Sequence, residues 1–109
     1  MDKLNKMFIK QLMLQKKIGY NAELFNQRYF EKMCIGCITE LCEIIENTPW
    51  KNEWKKSSKL NIDEAQKEVV DLWHFVINIS ICLGFDSNKL FNLFMEKNKT
   101  NFKRQKHEY

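Results

Sequence analysis

Apolar residues recur every three or four positions along most of this chain, the spacing that places them on one face of a helix. The spacing predicts four helices: residues 2–18, residues 25 or 27 to 46, residues 61 or 63 to 83, and a fourth that begins near residue 86. Residues 97–109 form a basic, amide-rich tail at the end of the fourth helix. The pattern therefore predicts an all-α fold, a compact bundle of four to five helices.

Local signals mark the ends of these helices. Gly19 and Gly84 follow the first and third helices, where a residue with positive φ commonly ends a helix. Pro49 ends the second, because the residue before a proline is disfavoured in the helical conformation. Asn61 or Asp63 is expected to cap the third helix, and residues 48–60 are expected to form a functional or mobile loop.

The third helix is apolar on almost every side between residues 69 and 83. Such a helix is buried on most sides, either at the centre of a bundle or at a subunit interface. A monomer of four helices has too few neighbours to bury it, so we expect a homo-oligomer, with a dimer favoured.

Composition narrows the class of protein. The 109 residues are 44% hydrophobic and 29% charged, which is typical of one globular domain over residues 1–109. Three glycines and one proline are too few for the turns of an all-β protein. The net charge of +4 suits nucleic acid, anionic lipid or a polyphosphate, and does not choose among them. No apolar run is long enough for a membrane span and no secretory signal is visible, so a cytoplasmic protein is expected.

Four cysteines raise the question of a metal or redox site, since Cys34 and Cys37 form a CxxC motif. The motif lies inside a helical pattern and lacks both a second CxxC and a suitably spaced histidine. Reduced thiols in a cytosolic core are the favoured interpretation.

Two pairs of acids are the most informative feature of the chain. Glu40 and Glu43 lie on the second helix, and Glu68 and Asp71 on the third. Residues three apart on a helix differ by roughly 60° in direction, so each pair points to one side. Four carboxylates on two packed helices repel one another, and a cation is the natural reason to assemble them. Oxygen ligands suit Mg²⁺, with Mn²⁺ as an alternative.

Two other interpretations of these acids remain. Glutamates three apart on a helix are most often solvated surface groups, although these pairs adjoin the apolar segments. A di-iron centre requires two Glu-x-x-His motifs, and the chain offers only the imperfect Asp71-x-x-His74. Glu64 shares the same face one turn earlier and is a candidate auxiliary acid.

The acidic motifs resemble those of a known superfamily. Glu-x-x-Glu at 40–43 followed by Glu-x-x-Asp at 68–71 resembles the signature of the MazG-like and dimeric dUTPase superfamily of all-α nucleoside triphosphate pyrophosphatases. The chain is most similar to the dimeric dUTPase branch. That similarity lies in Met-Leu-Gln at 13–15, Thr-Pro-Trp-Lys at 48–51, Asp-Leu-Trp-His-Phe at 71–75 and Lys-Asn-x-x-Asn-x-x-Arg-Gln at 97–105. The resemblance spans nearly the whole chain in order.

The resemblance implies a Mg²⁺-dependent dUTP diphosphatase, which cleaves dUTP between the α and β phosphates to give dUMP and pyrophosphate. It implies metal-ligating and catalytic roles for the four acids, with Glu43 a candidate to position the attacking water. The implied phosphate-binding residues are Lys97, Asn101, Arg104 and Lys55. The implied base- and sugar-binding residues are Gln15, Trp50, Trp54, His74, Phe75 and Asn78.

Two alternative functions remain open at this point. The same chemistry on dCTP, or on a broader set of nucleotides, needs only a change in the base pocket. A basic helical module that binds nucleic acid or a protein would explain the lysines but not the grouped acids, so no stable nucleic-acid partner is expected. The Asn- and Lys-rich composition indicates a phage or bacterial source with an AT-rich genome.

Overall fold

The computed structural model describes residues 2–21, 24–54 and 59–106. It contains four helices: α1 (Lys3–Ile18), α2 (Gln27–Glu46), α3 (Ile62–Cys82) and α4 (Ser87–Lys106). No strand occurs within those three described ranges. The prediction of an all-α fold is confirmed.

The helix ends follow from the residues that flank them. Asp2 accepts a hydrogen bond from the backbone N–H of Asn5 at 2.8 Å and so caps α1. Asn61 does the same for α3 through the N–H of Glu64 at 3.2 Å. Gly19 and Gly84 have φ values of +116° and +87°, a conformation that glycine adopts without steric cost. The predicted helix ends at these glycines are confirmed.

Helices α2 and α3 form the most extensive helix pair and run antiparallel. The backbone N–H of Asn61 donates to the carbonyl oxygen of Asn47 at 2.8 Å, which joins the end of α2 to the start of α3. Farther along, the helices approach closely at Gly36, where an added Cβ would collide with the ring of Phe75. The missing side chain at position 36 therefore sets the separation of the pair.

The core of the single chain is small. Its buried apolar residues are Phe8, Tyr29, Met33, Ile77, Ile81 and Cys82. Helix α1 packs against α3 over this core, and α4 packs against α1. Burial at this one end of the α2–α3 pair leaves the other end exposed.

The chain is more open than the predicted compact bundle. Its radius of gyration is 17.3 Å, whereas a compact domain of this length has a value of about 13 Å. On α3, Val70 and Trp73 are 54% and 49% exposed. The expectation that α3 is buried on most sides is thus wrong for this part of the helix in the single chain. Near the end of α3 it holds, since Ile77, Asn78, Ser80, Ile81 and Cys82 are buried. The subunit-interface alternative stays a prediction.

The apolar side of α2 is only partly covered. Seven residues at helical spacing form this side: Phe30, Cys34, Cys37, Ile38, Leu41, Ile44 and Ile45. Ile38, Leu41 and Ile45 are exposed, because α2 buries Tyr29 and Met33 instead. The basic end of the fourth helix is helical, since α4 continues through residues 97–106.

The four cysteines are all free thiols. Cys82 is buried in the core, Cys34 and Cys37 are half-buried, and Cys42 is exposed. The interpretation of the cysteines as core residues is confirmed for Cys82 and wrong for Cys42.

Within the described ranges, no single helix has both the length and the apolar character needed to cross a membrane. Helices α3 and α4, which meet at 99°, pass that test only as a bent pair and only by length and composition.

Candidate metal and nucleotide site

The antiparallel register of α2 and α3 brings the predicted acids together. Glu40 lies one turn beyond Gly36 on α2, and Asp71 lies one turn before Phe75 on α3, so the close approach of the helices also places these acids opposite each other. Glu40, Glu68 and Asp71 each offer a carboxylate oxygen, and these atoms all lie within 4.8 Å of one another. In the described part of the chain, this is the one group of acids, histidines or cysteines with the spacing to share a metal ion.

Glu43 joins the group through Glu68. Hydrogen bonds with Glu43 and then Glu40, followed by desolvation, raise the pKa of Glu68 to about 7. Partial burial raises the pKa of Glu40, as do the charges of Glu43 and Asp71, although the hydrogen bond with Glu68 acts in the opposite direction. In the absence of a cation, Glu68 and Glu40 therefore hold a proton more readily than a solvated carboxylate does.

The chemistry of this group fits a hard divalent cation. Glu40 Oε2 is buried and has no hydrogen-bond partner among the described residues. A buried oxygen without a partner costs free energy, which a bound cation would offset. An all-carboxylate donor set is the kind that Mg²⁺ or Mn²⁺ prefers. The residues present therefore fit the implied metal.

His74 lies beside these acids but is not part of the group. Its Nδ1 lies 2.9 Å from the carbonyl oxygen of Val70, one turn back on α3. A carbonyl oxygen only accepts, so Nδ1 carries the hydrogen and Nε2 remains the nitrogen available to a ligand. His74 is not among the side chains whose ligand atoms lie together, so the structure does not bring Asp71 and His74 together as a ligand pair.

A cleft of about 490 Å³ opens next to the acids, between α1, α2 and α3. It is lined by Gln11, Leu14, Gln15, Ile18, Tyr20, Met33, Glu40, Asp71, His74, Phe75 and Asn78. Four of the six residues predicted to contact the base or sugar, Gln15, His74, Phe75 and Asn78, lie together in this cleft. The structure therefore joins the acidic group to a polar and aromatic pocket.

Hydrogen bonds orient the amides of the cleft. Tyr29 Oη donates to Gln15 Oε1 at 2.8 Å. Gln11 Nε2 donates to Asn78 Oδ1 at 2.8 Å, and Asn78 Nδ2 donates to Met33 Sδ at 3.3 Å. Gln11, Gln15 and Asn78 are all buried. Amides held in this way present fixed donors and acceptors to a ligand.

Comparison with known protein families identifies the family to which the chain belongs. The family model described as dUTPase matches residues 3–89, which span α1 to α3 and the start of α4. This chain belongs to the dUTPase family. The resemblance inferred from the acidic motifs is confirmed.

Relatives of this dUTPase-family chain come from bacteriophages. A dCTP pyrophosphatase of Enterobacteria phage T4 is 35% identical over 68 residues, which cover 55% of this chain and 40% of that protein. A dCTP pyrophosphatase of Enterobacteria phage LZ5 is 32% identical over 69 residues, 56% of this chain and 40% of that protein. A DNA replication protein of phage T4 is 33% identical over 58 residues, 46% of this chain and 15% of that protein. The matches to the two pyrophosphatases thus span about two fifths of their length. No solved structure matches significantly.

Other predicted site residues of this dUTPase-family chain lie away from the cleft. Trp50 and Trp54 do not line it, and their rings contact each other edge-on with centroids 5.6 Å apart. Lys51 lies 5.3 Å from the centre of the Trp50 ring and 3.5 Å from Glu46. Lys55 falls outside the described residues. Within one chain the tryptophans thus pack on each other rather than over the cleft.

The predicted phosphate-binding residues of the tail also lie elsewhere. Lys97, Asn101 and Arg104 are on the exposed outer part of α4, and none of them lines the cleft. They also lie beyond residue 89, where the match to the dUTPase family ends. The single chain therefore does not bring them to the acids.

Five residues of the cleft were not predicted from the sequence as site residues: Gln11, Leu14, Ile18, Tyr20 and Met33. Gln11 could have been predicted from the sequence, because Gln11 and Gln15 are amides four residues apart on the buried face of α1 beside Phe8. Polar residues on a core-facing stripe are uncommon unless hydrogen-bonded or functional. Tyr20 and Met33 carried no comparable signal.

Proposed function

We propose that this chain is a Mg²⁺-dependent dUTP diphosphatase, which hydrolyses dUTP to dUMP and pyrophosphate. The observation that carries the proposal is the group formed by Glu40, Glu68 and Asp71, with its unpartnered buried oxygen, next to a cleft lined by oriented amides. Membership in the dUTPase family supports the same chemistry.

Glu40, Glu43, Glu68 and Asp71 would hold the metal, with Mn²⁺ as the alternative to Mg²⁺. A bound metal would neutralise phosphate charge and lower the pKa of the attacking water. Glu43 stands outside the tightest group but is hydrogen-bonded to Glu68, so its carboxylate is the candidate to orient that water and accept its proton.

The cleft would hold the nucleoside. Its volume of about 490 Å³ lies within the range of roughly 300–1,000 Å³ typical of small-molecule sites. Gln15 and Asn78 offer amide groups for the edge of a pyrimidine, and Phe75 and His74 offer ring faces. Asp71 and Glu40 line the same cleft, so a nucleoside there would direct its phosphates towards the acids.

A homodimer would complete this site. The exposed apolar residues of α3, including Val70 and Trp73, form a surface suited to a second copy. The exposed Lys97, Asn101 and Arg104 would then serve as phosphate-binding residues across the interface, as Lys55 and the two tryptophans of the loop would near the base. We propose that this dimer acts in the cytoplasm without a stable nucleic-acid partner.

A second candidate is a dCTP pyrophosphatase or an enzyme of broader specificity. The two phage relatives named dCTP pyrophosphatase favour it. Uracil and cytosine differ at one exocyclic position, where uracil has an oxygen that accepts a hydrogen bond and cytosine has an amino group that donates one. The metal chemistry would be unchanged.

Pyrophosphate release from dUTP, dCTP, dTTP, dATP, dGTP and UTP with Mg²⁺ tests the proposal. We expect release from dUTP that stops on addition of a chelator. Release mainly from dCTP, or from several nucleotides, would replace the proposed specificity by the second candidate. No release from any of them, by folded protein, would refute the proposed enzyme. Salt-sensitive binding of polynucleotide that survives Glu40→Gln would then favour a binding module.

A further inference from the structure

Tyr29 lies directly behind the candidate cleft rather than in it. It is 5% exposed and does not line the cleft, yet its hydroxyl donates to Gln15 Oε1 at 2.8 Å. The ring is held in place by Tyr20, whose centroid lies 4.7 Å away. Tyr29 therefore contacts the side chain that is proposed to contact the base, although it does not line the cleft itself.

This contact fixes which end of the Gln15 amide faces the cleft. Because the amide oxygen is occupied by the tyrosine hydroxyl, the NH₂ group is the end left for a ligand. Burial, followed by the nearby Cys82 and Tyr20, raises the pKa of Tyr29 to about 12, so the hydroxyl remains a donor. Gln15 thus presents a hydrogen-bond donor rather than an acceptor.

Asn78 is oriented in a complementary way on the opposite helix. Its oxygen accepts from Gln11 at 2.8 Å and has a second lone pair, while its nitrogen is directed at Met33. The cleft consequently has a fixed donor on α1 and a fixed acceptor on α3. A pyrimidine edge also presents neighbouring donors and acceptors, and their order differs between uracil and cytosine.

We infer that Tyr29 is a positioning residue that sets the discrimination between uracil and cytosine nucleotides by holding the Gln15 amide in one orientation. This inference rests on the proposed function only in placing the base in the cleft. An amide that is free to turn over serves either base, since it exposes a donor in one orientation and an acceptor in the other. An amide that cannot turn over favours one base.

The test measures the affinity of the Mg²⁺-loaded protein for the α,β-imido analogues of dUTP and dCTP, by titration calorimetry. In Tyr29→Phe the ratio of the two dissociation constants should move towards one by about fivefold to tenfold. A change of this size corresponds to the free energy of roughly one hydrogen bond. A ratio that stays at the wild-type value would overturn the inference.

The matched control is Ser87→Ala. Ser87 Oγ donates to Asn5 Oδ1 at 3.1 Å, so it is another hydroxyl bonded to an amide oxygen of α1, but it lies outside the cleft. The ratio should be unchanged in this variant. A shift as large as that in Tyr29→Phe would show that general loosening of α1 is responsible, which would also overturn the inference.

A double-mutant cycle tests the route of the effect. If Tyr29 acts only through Gln15, Tyr29→Phe should leave the ratio unchanged in a Gln15→Met background. Should Tyr29→Phe fail to fold, Gln15→Glu retains the acceptor for Tyr29 but has no N–H to offer the base. The ratio should then shift towards the cytosine analogue, and an unshifted ratio would overturn the inference.

Binding and turnover separate the two proposals. Selective binding without hydrolysis of dUTP or dCTP would refute the enzymatic proposal, while the Tyr29 inference would still be judged by the ratio. Hydrolysis with an unchanged ratio in Tyr29→Phe would refute the inference alone. Binding of neither analogue by the wild-type protein would overturn both.

Discussion

Individual acidic residues in this chain are placed where they oppose the stability of the metal-free fold. Glu40, Glu43, Glu68 and Asp71 lie close together. Burial, followed by its acidic neighbours, raises the pKa of Glu40, and hydrogen bonds with Glu43 and Glu40 raise that of Glu68. The repulsion between these carboxylates is removed either by protonation or by binding of a cation. Protonation is favoured at low pH, whereas binding of a cation is favoured at high pH.

The stability of the metal-free protein should therefore fall as the pH rises. The folded-state pKa of Glu68 is about 7, above the ordinary value of 4.5, so the folded state binds more protons than the unfolded chain between these values. This contribution is fully present below about pH 4.5 and is lost as the pH passes through about 7. Melting temperatures measured with EDTA from pH 5 to pH 8 should show the decline. The same measurement on Glu68→Gln gives the contribution of the other titrating groups, which is subtracted.

Mg²⁺ should reverse this dependence, because it binds the deprotonated carboxylates. The rise in melting temperature on adding Mg²⁺ should be small at pH 5 and larger at pH 8. Glu68→Gln should lose much of this pH dependence. A magnesium effect of equal size at both values would contradict the placement of Glu68 in the metal site.

The residue types of the site were largely predictable, but their contacts were not. Acids three apart on two helices, and Gln15 on the first, follow from local spacing. The contact of Gln11 with Asn78 joins residues 67 positions apart, and that of Tyr29 with Gln15 crosses from α2 to α1. Such contacts depend on how helices pack, which helical periodicity does not specify.

At the scale of helices, the site depends on the register and separation of α2 and α3. Gly36 faces Phe75, and Glu40 faces Asp71 one turn along, so the close approach and the acidic group belong to one continuous contact. The positions of the helices were predictable from periodicity and caps. Which residues of the apolar stripe on α2 are buried was not predictable, because a stripe shows that a helix has an apolar side and not what covers it.

Gly36→Ala should destabilise the protein and weaken nucleotide binding. The added Cβ overlaps the Phe75 ring, and relief of such overlap costs about 1–3 kcal/mol. The better helix propensity of alanine offsets roughly 0.5–1 kcal/mol of this. The displaced ring would enter the cleft, so KM should rise. Urea unfolding and steady-state kinetics measure the two effects.

Thr39→Ala is the control on the same helix, since Thr39 is exposed and its hydroxyl donates to the carbonyl oxygen of Ile35. Its free energy of unfolding should change by less than about 0.5 kcal/mol. If Gly36→Ala were equally silent, the close approach would not set the separation of the helices.

For the whole molecule, the main feature is an open shape with much apolar surface. A radius of gyration of 17.3 Å and a small core at one end of the helix pair leave α3 exposed at Val70 and Trp73. The sequence indicated that α3 has more apolar surface than one chain covers, because residues 69–83 are apolar on almost every side. It did not show whether that surface lies at the centre of a bundle or at a subunit interface. The family was recognisable because its motifs recur in order.

Light scattering coupled to gel filtration should therefore give the mass of a dimer at micromolar concentration. Val70→Lys, which places a charge on the exposed face of α3, should shift the protein towards monomer and reduce turnover. Asp63→Asn, an exposed change of charge on the same helix outside the acidic group, is the control. A wild-type monomer with full activity would contradict the proposal that a second copy completes the site.

Metal-dependent hydrolysis should depend directly on the grouped carboxylates. The most direct measurement compares Mg²⁺-dependent pyrophosphate release by the wild-type protein, Asp71→Asn and Asp63→Asn, with dUTP and dCTP as substrates. Asp63 lies exposed in the first turn of the same helix, outside the acidic group. Because a metal contributes several kcal/mol to such a reaction, Asp71→Asn should lose about a hundredfold or more of kcat while remaining folded, and Asp63→Asn should keep wild-type rates. Equal activity of the two variants would contradict the claim.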